Sequence, residues 1–74
     1  MTEPAILICG HGSRDVQAIS EFEVLAEHIA RHLPERRVVH GFLEFARPTI
    51  GERLDDLRAA GARDVLAVPG MLFA

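Results

Sequence analysis

The stretch AILICGHGSRD, from Ala5 to Asp15, decides which fold this chain can adopt. Its first five residues form a continuous apolar run that Gly10 ends, a pattern typical of a strand buried on both faces of a parallel sheet. Glycines stand on both sides of His11, so the backbone can turn sharply there and leave the imidazole uncovered. The stretch therefore predicts a central strand followed by a loop with an accessible histidine.

Further along the chain, the sequence predicts two helices and two more strands. Apolar residues recur at helical spacing within residues 17–33 and 49–60, and β-rich apolar runs cover Val38–Leu43 and Val65–Val68. The resulting β-α-β-α-β order implies parallel pairing through right-handed crossovers. We therefore expect an α/β fold, a three-stranded parallel sheet of strand order 2-1-3 with helices on its faces.

The second predicted helix carries signals at both of its ends. Thr49 and Glu52 have the spacing of a capping box, in which each side chain binds the free backbone N–H of the other residue. Gly61 is placed to end the helix with a left-handed cap.

Composition predicts one small domain, residues 1–74, that is soluble and cytoplasmic. The chain is 49% hydrophobic with a net charge of −3, which gives no reason to expect nucleic acid or an anionic membrane as partner. We see no signal peptide and no apolar run near the ~20 residues that span a bilayer. The single Cys9 lies in an apolar run and is expected to be a buried thiol in a reducing compartment. Because the sequence stops just after the third predicted strand, we expect it to be truncated before a last strand and covering helices, or to be covered by another chain.

The candidate site lies at the carboxyl ends of the predicted strands, where open parallel sheets bind ligands. His11 and Glu44 both follow strands at this edge. A neutral imidazole binds borderline divalent metals and accepts a proton near pH 7, and a carboxylate beside it can help with either task. The alternatives are a histidine that only caps a turn and a glutamate that is only a solvated strand end.

Polar residues near this edge suggest a substrate-binding role. Gly12, Ser13 and Arg14 precede a helix and are candidates for holding an anion, and Arg14 and Arg47 are candidates for pairing with substrate carboxylates. No Gly-Lys-Ser/Thr phosphate loop is present, so the sequence gives no support for nucleotide hydrolysis. The other histidines are assigned to packing, His28 and His32 to a partly exposed helix flank and His40 to the second strand.

Taken in order, short motifs along the whole chain resemble the class II tetrapyrrole chelatases. These are the sirohydrochlorin cobaltochelatases of cobalamin biosynthesis and the related sirohaem ferrochelatases and nickel chelatases, and the resemblance is to their N-terminal portion. The motifs are GHGSRD at 10–15, FE at 22–23, GFLE at 41–44, PT at 48–49, VP at 68–69 and LFA at 72–74.

The resemblance implies a partial flavodoxin-like chelatase fold and a lyase-type enzyme that inserts a divalent metal into sirohydrochlorin. It implies no organic cofactor: the metal is a substrate, with Co²⁺ favoured and Fe²⁺ or Ni²⁺ as alternatives. His11 matches the first active-site histidine, a metal ligand and proton acceptor, and Glu44 matches an acidic residue of the same pocket. The family's second active-site histidine would follow Ala74, so the activity of this polypeptide alone is in question.

Partners implied by the resemblance are a tetrapyrrole substrate and either a second copy of the chain or another chelatase half. Two other functions remain open at this point. One is a non-catalytic tetrapyrrole- or metal-binding module, and the other is a phosphate-binding flavodoxin-like domain.

Overall fold

A computed structural model describes residues 4–70 and confirms the predicted order of elements. The strands and helices alternate along the chain: β1 Ala5–Gly10, α1 Val16–His32, β2 Val38–Phe42, α2 Ile50–Ala59 and β3 Val65–Pro69. Their ends differ from the predicted ones by at most one residue, a difference expected because hydrophobic periodicity does not define the terminal residue of an element.

The three strands form one parallel sheet in the order β2-β1-β3, as predicted. Every residue of the central strand β1 is buried, in agreement with its continuous apolar sequence. Cys9 is aligned with Gly41 on one side and with Pro69 on the other. The carboxyl ends of all three strands therefore lie along one edge of the sheet.

The two helices cover opposite faces of β1 and β2. On one face, Ile6 and Ile8 belong to a buried cluster with Phe22 and Ala26 of α1 and with Phe42. On the other face, Gly41 lies so close to α2 that an added Cβ would be 3.1 Å from the Cα of Ile50. The glycine thus permits α2 to pack closely on β2.

The ends of both helices are fixed by local hydrogen bonds. The capping box of α2 is present, because Thr49 Oγ1 accepts the Glu52 N–H and the Glu52 carboxylate accepts the Thr49 N–H. Gly61 has φ +92° and donates its N–H to Arg58, while Ala62 donates to Leu57, the paired bonds of a Schellman motif. Helix α1 begins at an N-cap, Asp15, whose side chain accepts the Gln17 N–H at 2.9 Å.

Strand β3 is much less covered than its neighbours. Leu66 is 52% exposed and Val68 37% exposed, although their register partners Ile6 and Ile8 are buried. The third apolar run therefore forms a strand. Over residues 4–70, however, the helices do not cover the side chains of β3 in the way that they cover those of β1. Over the same residues, neither helix is both long and apolar enough to cross a membrane.

Candidate functional site

Two loops at the carboxyl edge of the sheet carry the predicted site residues. The first loop, residues 11–15, connects β1 to α1, and the second loop, residues 43–49, connects β2 to α2. Backbone hydrogen bonds join them where the strands end: Leu43 donates to the carbonyl oxygen of Gly10 at 2.9 Å, and Glu44 donates to that of His11 at 3.2 Å. The parallel pairing of β1 and β2 thus extends into the loops and fixes their spacing.

Gly12 provides the closest contact between the two loops. Its φ is +100°, a region that side chains with a Cβ rarely adopt, and an added Cβ would lie 1.7 Å from the carbonyl oxygen of Glu44. The structure therefore gives this glycine a packing function. Its predicted contact with substrate stays a prediction.

His11 and Glu44 are brought together, as the sequence predicted. Nε2 of His11 lies 3.9 Å from Oε2 of Glu44, and their side chains are 58% and 53% exposed. Bonds of about 2 Å from a metal ion to nitrogen or oxygen let one ion contact two ligand atoms at most about 4 Å apart. The pair is thus within the span of one divalent ion, and its exposure leaves room for water or substrate to complete the coordination.

Within residues 4–70, no three side chains of the histidine, cysteine, aspartate or glutamate type cluster closely enough to hold a metal ion. A metal bound by His11 and Glu44 alone would keep most of its coordination positions for other ligands.

A small apolar pocket lies behind His11, between the first loop and α1. Its volume is about 260 Å³. The lining combines first-loop residues with side chains of the buried core: Gly10, His11, Gly12, Ser13, Ala18, Ile19, Phe22 and Phe42. His11 therefore borders an apolar pocket, although more than half of its side chain is exposed.

The remaining predicted residues of the first loop have intramolecular contacts. Ser13 Oγ accepts the Asp15 N–H at 2.9 Å, so Ser13 shapes the start of α1. The guanidinium carbon of Arg14 lies 4.7 Å from the ring centroid of Phe45, within the range of a cation–π contact. Arg14 thus connects the two loops from their outer side.

Arg47 of the second loop is paired within the chain. Its guanidinium contacts the Glu52 carboxylate, and this hydrogen bond and charge raise the pKa of Arg47. The Arg47 hydrogen bond is also the main reason that the pKa of Glu52 is lowered to about 2. The Arg47 side chain is 80% exposed, and a substrate carboxylate would have to compete with Glu52 for it.

The other three histidines lie where the sequence analysis placed them. His28 and His32 are exposed on α1, and Nδ1 of His32 lies 3.0 Å from the His28 carbonyl oxygen. His40 packs edge-on against Phe42 and lies 3.2 Å from a Glu23 carboxylate oxygen. Within residues 4–70, none of the three has a hydrogen bond, ion pair or ring contact with His11 or Glu44.

For two residues of these loops, the sequence analysis did not predict the role that the structure shows. Asp15 could have been found, because an aspartate directly before a helical apolar pattern is a typical N-cap. Phe45 carried no comparable signal, since its φ of +68° and its contact with Arg14 depend on how the two loops meet.

Comparisons with known proteins agree with this arrangement. The CbiX family model matches residues 5–74. The chain is 38% identical over 69 residues to a sirohydrochlorin cobaltochelatase of Saccharolobus islandicus, covering 93% of this chain and 52% of that protein. It is 36% identical over 73 residues to the Methanosarcina barkeri protein of the same name, covering 97% of this chain and 56% of that protein.

The chain therefore spans about half the length of the curated relatives that it matches. No solved structure gives a significant match. The family match extends over nearly all of the described fold, including both loops of the site, and confirms the resemblance to class II chelatases. With the predicted sheet order and the paired His11 and Glu44 in place, the chain belongs to the CbiX family.

Proposed function

We propose that this chain takes part in inserting a divalent metal, Co²⁺ in preference to Fe²⁺ or Ni²⁺, into sirohydrochlorin during cobalamin or sirohaem biosynthesis. The observation that carries the proposal is the separation of 3.9 Å between His11 Nε2 and Glu44 Oε2 on an accessible edge of the sheet. The names of the relatives, sirohydrochlorin cobaltochelatase, support the choice of substrate and metal. A reducing cytoplasm suits the single buried Cys9.

Metal insertion requires two tasks that these side chains can share. A loosely held divalent ion must be presented to the ring, and two pyrrole N–H protons must be removed. The imidazole of His11 suits both tasks, because it exchanges metals and protons at neutral pH. The Glu44 carboxylate holds the ion from the other side or accepts a proton, and Arg14 provides a positive charge for substrate carboxylates beside the pair.

Phosphate binding is less well supported by the geometry. The N-terminus of α1 is already occupied by the Asp15 carboxylate, which accepts the Gln17 N–H, and Ser13 Oγ is engaged by the Asp15 N–H. A fixed negative charge at a helix N-terminus repels the anion that this position would otherwise attract.

Anaerobic absorbance spectroscopy with sirohydrochlorin and Co²⁺ tests the proposal directly. We expect the chain to accelerate formation of the cobalt complex over the protein-free reaction. The His11→Ala variant should lose most of this acceleration, about 100-fold if the imidazole acts as the proton acceptor. The Glu44→Gln variant should lose less, because its amide oxygen can still contact the ion.

The same assay separates the enzyme from a binding module. A chain that binds sirohydrochlorin and Co²⁺ but leaves the insertion rate at the protein-free value is a non-catalytic carrier. A His11→Ala variant that inserts Co²⁺ as fast as the unmodified chain would reject His11 as ligand and base.

A further inference from the structure

Phe45 has an unfavourable backbone conformation, and its side chain is not buried in a way that would offset the cost. Its φ of +68° is rare for a bulky side chain, and 54% of the residue is exposed. Residues held in such conformations are enriched at ligand-binding positions, where the surrounding structure imposes them. Within residues 4–70, burial therefore does not explain why an aromatic residue stands directly after Glu44.

The surroundings of Phe45 combine an apolar surface with a positive charge. Leu43, two residues earlier in the second loop, is 53% exposed. The Arg14 guanidinium lies over the Phe45 ring, 4.7 Å from its centroid, and more than half of Phe45 stays accessible with Arg14 in this position. His11 and Glu44, the pair that we propose to bind the metal, belong to the same two loops.

The size of the nearby pocket indicates where a large ligand must lie. The cavity behind His11 measures about 260 Å³, below the ~300–1,000 Å³ of typical small-molecule sites. A tetrapyrrole macrocycle is too large to enter it. A ring held beside His11 and Glu44 must therefore extend across the exposed surface of the two loops, where Phe45 and Leu43 lie.

We propose that Phe45 is the stacking platform for one face of the tetrapyrrole ring, with Arg14 pairing to a carboxylate at the ring periphery. The inference rests on the proposed function and names a substrate contact of the same site. A flat macrocycle with acidic side chains matches, in shape and charge, an aromatic ring that is more than half exposed and has a guanidinium over one face. The cation–π contact with Arg14 restricts the Phe45 ring before substrate arrives, which reduces the entropy lost on binding.

Replacement of Phe45 by glycine and by tyrosine provides the test. Glycine adopts a φ of +68° readily, so Phe45→Gly removes the ring and relieves the backbone at the same time. We expect its affinity for sirohydrochlorin, measured by absorbance titration, to fall about tenfold, as for the loss of one aromatic contact. Phe45→Tyr should bind nearly as well as the unmodified chain, and Co²⁺ affinity by calorimetry should be unchanged in both variants.

The matched control is Leu54→Ala, which removes an exposed apolar side chain from α2 and should leave both affinities unchanged. If Phe45→Gly binds sirohydrochlorin as tightly as the unmodified chain does, Phe45 is not a stacking platform. The proposed insertion activity could still stand in that case. A parallel loss of Co²⁺ affinity in Phe45→Gly would also overturn the stacking platform, because Phe45 would then act by shaping the loop around Glu44. An unmodified chain that binds Co²⁺ but no sirohydrochlorin would reject the proposed function itself.

Discussion

Glu44 approaches the first loop through two different groups. Its side chain lies 3.9 Å from the His11 imidazole, while its backbone carbonyl oxygen occupies the space beside Gly12 that any larger residue would need. The chemistry and the loop packing thus meet at one residue. Changes that disturb the packing should also disturb the pairing of Glu44 with His11.

The first prediction is that His11, and neither His28 nor His32, contributes to Co²⁺ binding. Calorimetry should show a Co²⁺ affinity at least about tenfold weaker in His11→Ala, since one of two protein ligands is lost. The double variant His28→Ala/His32→Ala removes two exposed imidazoles from α1 and serves as the matched control. If the double variant loses Co²⁺ affinity and His11→Ala keeps it, the site has been assigned to the wrong histidine.

The second prediction concerns the contact between the loops. Gly12→Ala should lower the free energy of unfolding by at least about 1 kcal/mol, because alanine is strained at φ +100° and its Cβ would overlap the Glu44 carbonyl oxygen. Gly51→Ala is the control, since an added Cβ there would meet only Thr49 Oγ1, at 3.9 Å. In urea unfolding, the control should be as stable as the unmodified chain or slightly more so. Equal stability of the two alanine variants would contradict the packing function of Gly12.

At the scale of the elements, local signals in the sequence predicted the hydrogen bonds that the structure shows at the ends of α2. The capping box of α2 and the cap at Gly61 depend on residues within one turn of each other, so the sequence alone was sufficient to find them. The pairing of Arg47 with Glu52 was missed, because Glu52 was already assigned to the cap and nothing in the spacing showed that one carboxylate serves both partners. The positive φ of Phe45 was also missed, since it depends on how two loops pack together.

The third prediction follows from the lowered pKa of Glu52 at the start of α2. Its pKa of about 2 in the folded chain lies below the ordinary value of 4.5. Its contribution to stability is therefore present above about pH 4.5 and is lost as the pH falls toward 2. Urea midpoints of Glu52→Gln should depend less on pH across this range than those of the unmodified chain.

Glutamine can still accept the Thr49 N–H in a capping box, so this variant removes the charge and keeps the cap. Glu35→Gln changes the net charge by the same amount in the connection between α1 and β2. It should retain the full pH dependence of the unmodified chain. If the urea midpoint changes with pH equally in Glu52→Gln and in the unmodified chain, the pairing with Arg47 does not stabilise the fold.

At the scale of the whole molecule, the central strand of the sheet and the edge strand β3 are buried to very different extents. The central strand β1 is buried along its length, while four of the five residues of the edge strand β3 are exposed. The sequence predicted that β3 would be a strand, because its apolar run resembles that of β1. The lack of cover over β3 was expected as well, because the two predicted helices cannot cover both faces of the whole sheet, and the exposure of Leu66 and Val68 agrees with that expectation.

The last prediction is that the chain self-associates through β3. Leu66 and Val68 form an exposed apolar surface beside an unpaired strand edge within the described sheet, a combination that favours association. Light scattering at micromolar concentration should give a mass above that of one chain, and Leu66→Lys should lower it, because a charge is costly to bury at a contact. Leu54→Lys, at a 44% exposed position on α2, should leave the mass unchanged. A monomeric unmodified chain, or a Leu66→Lys variant that associates equally well, would contradict the prediction and leave the apolar side chains of β3 in contact with solvent.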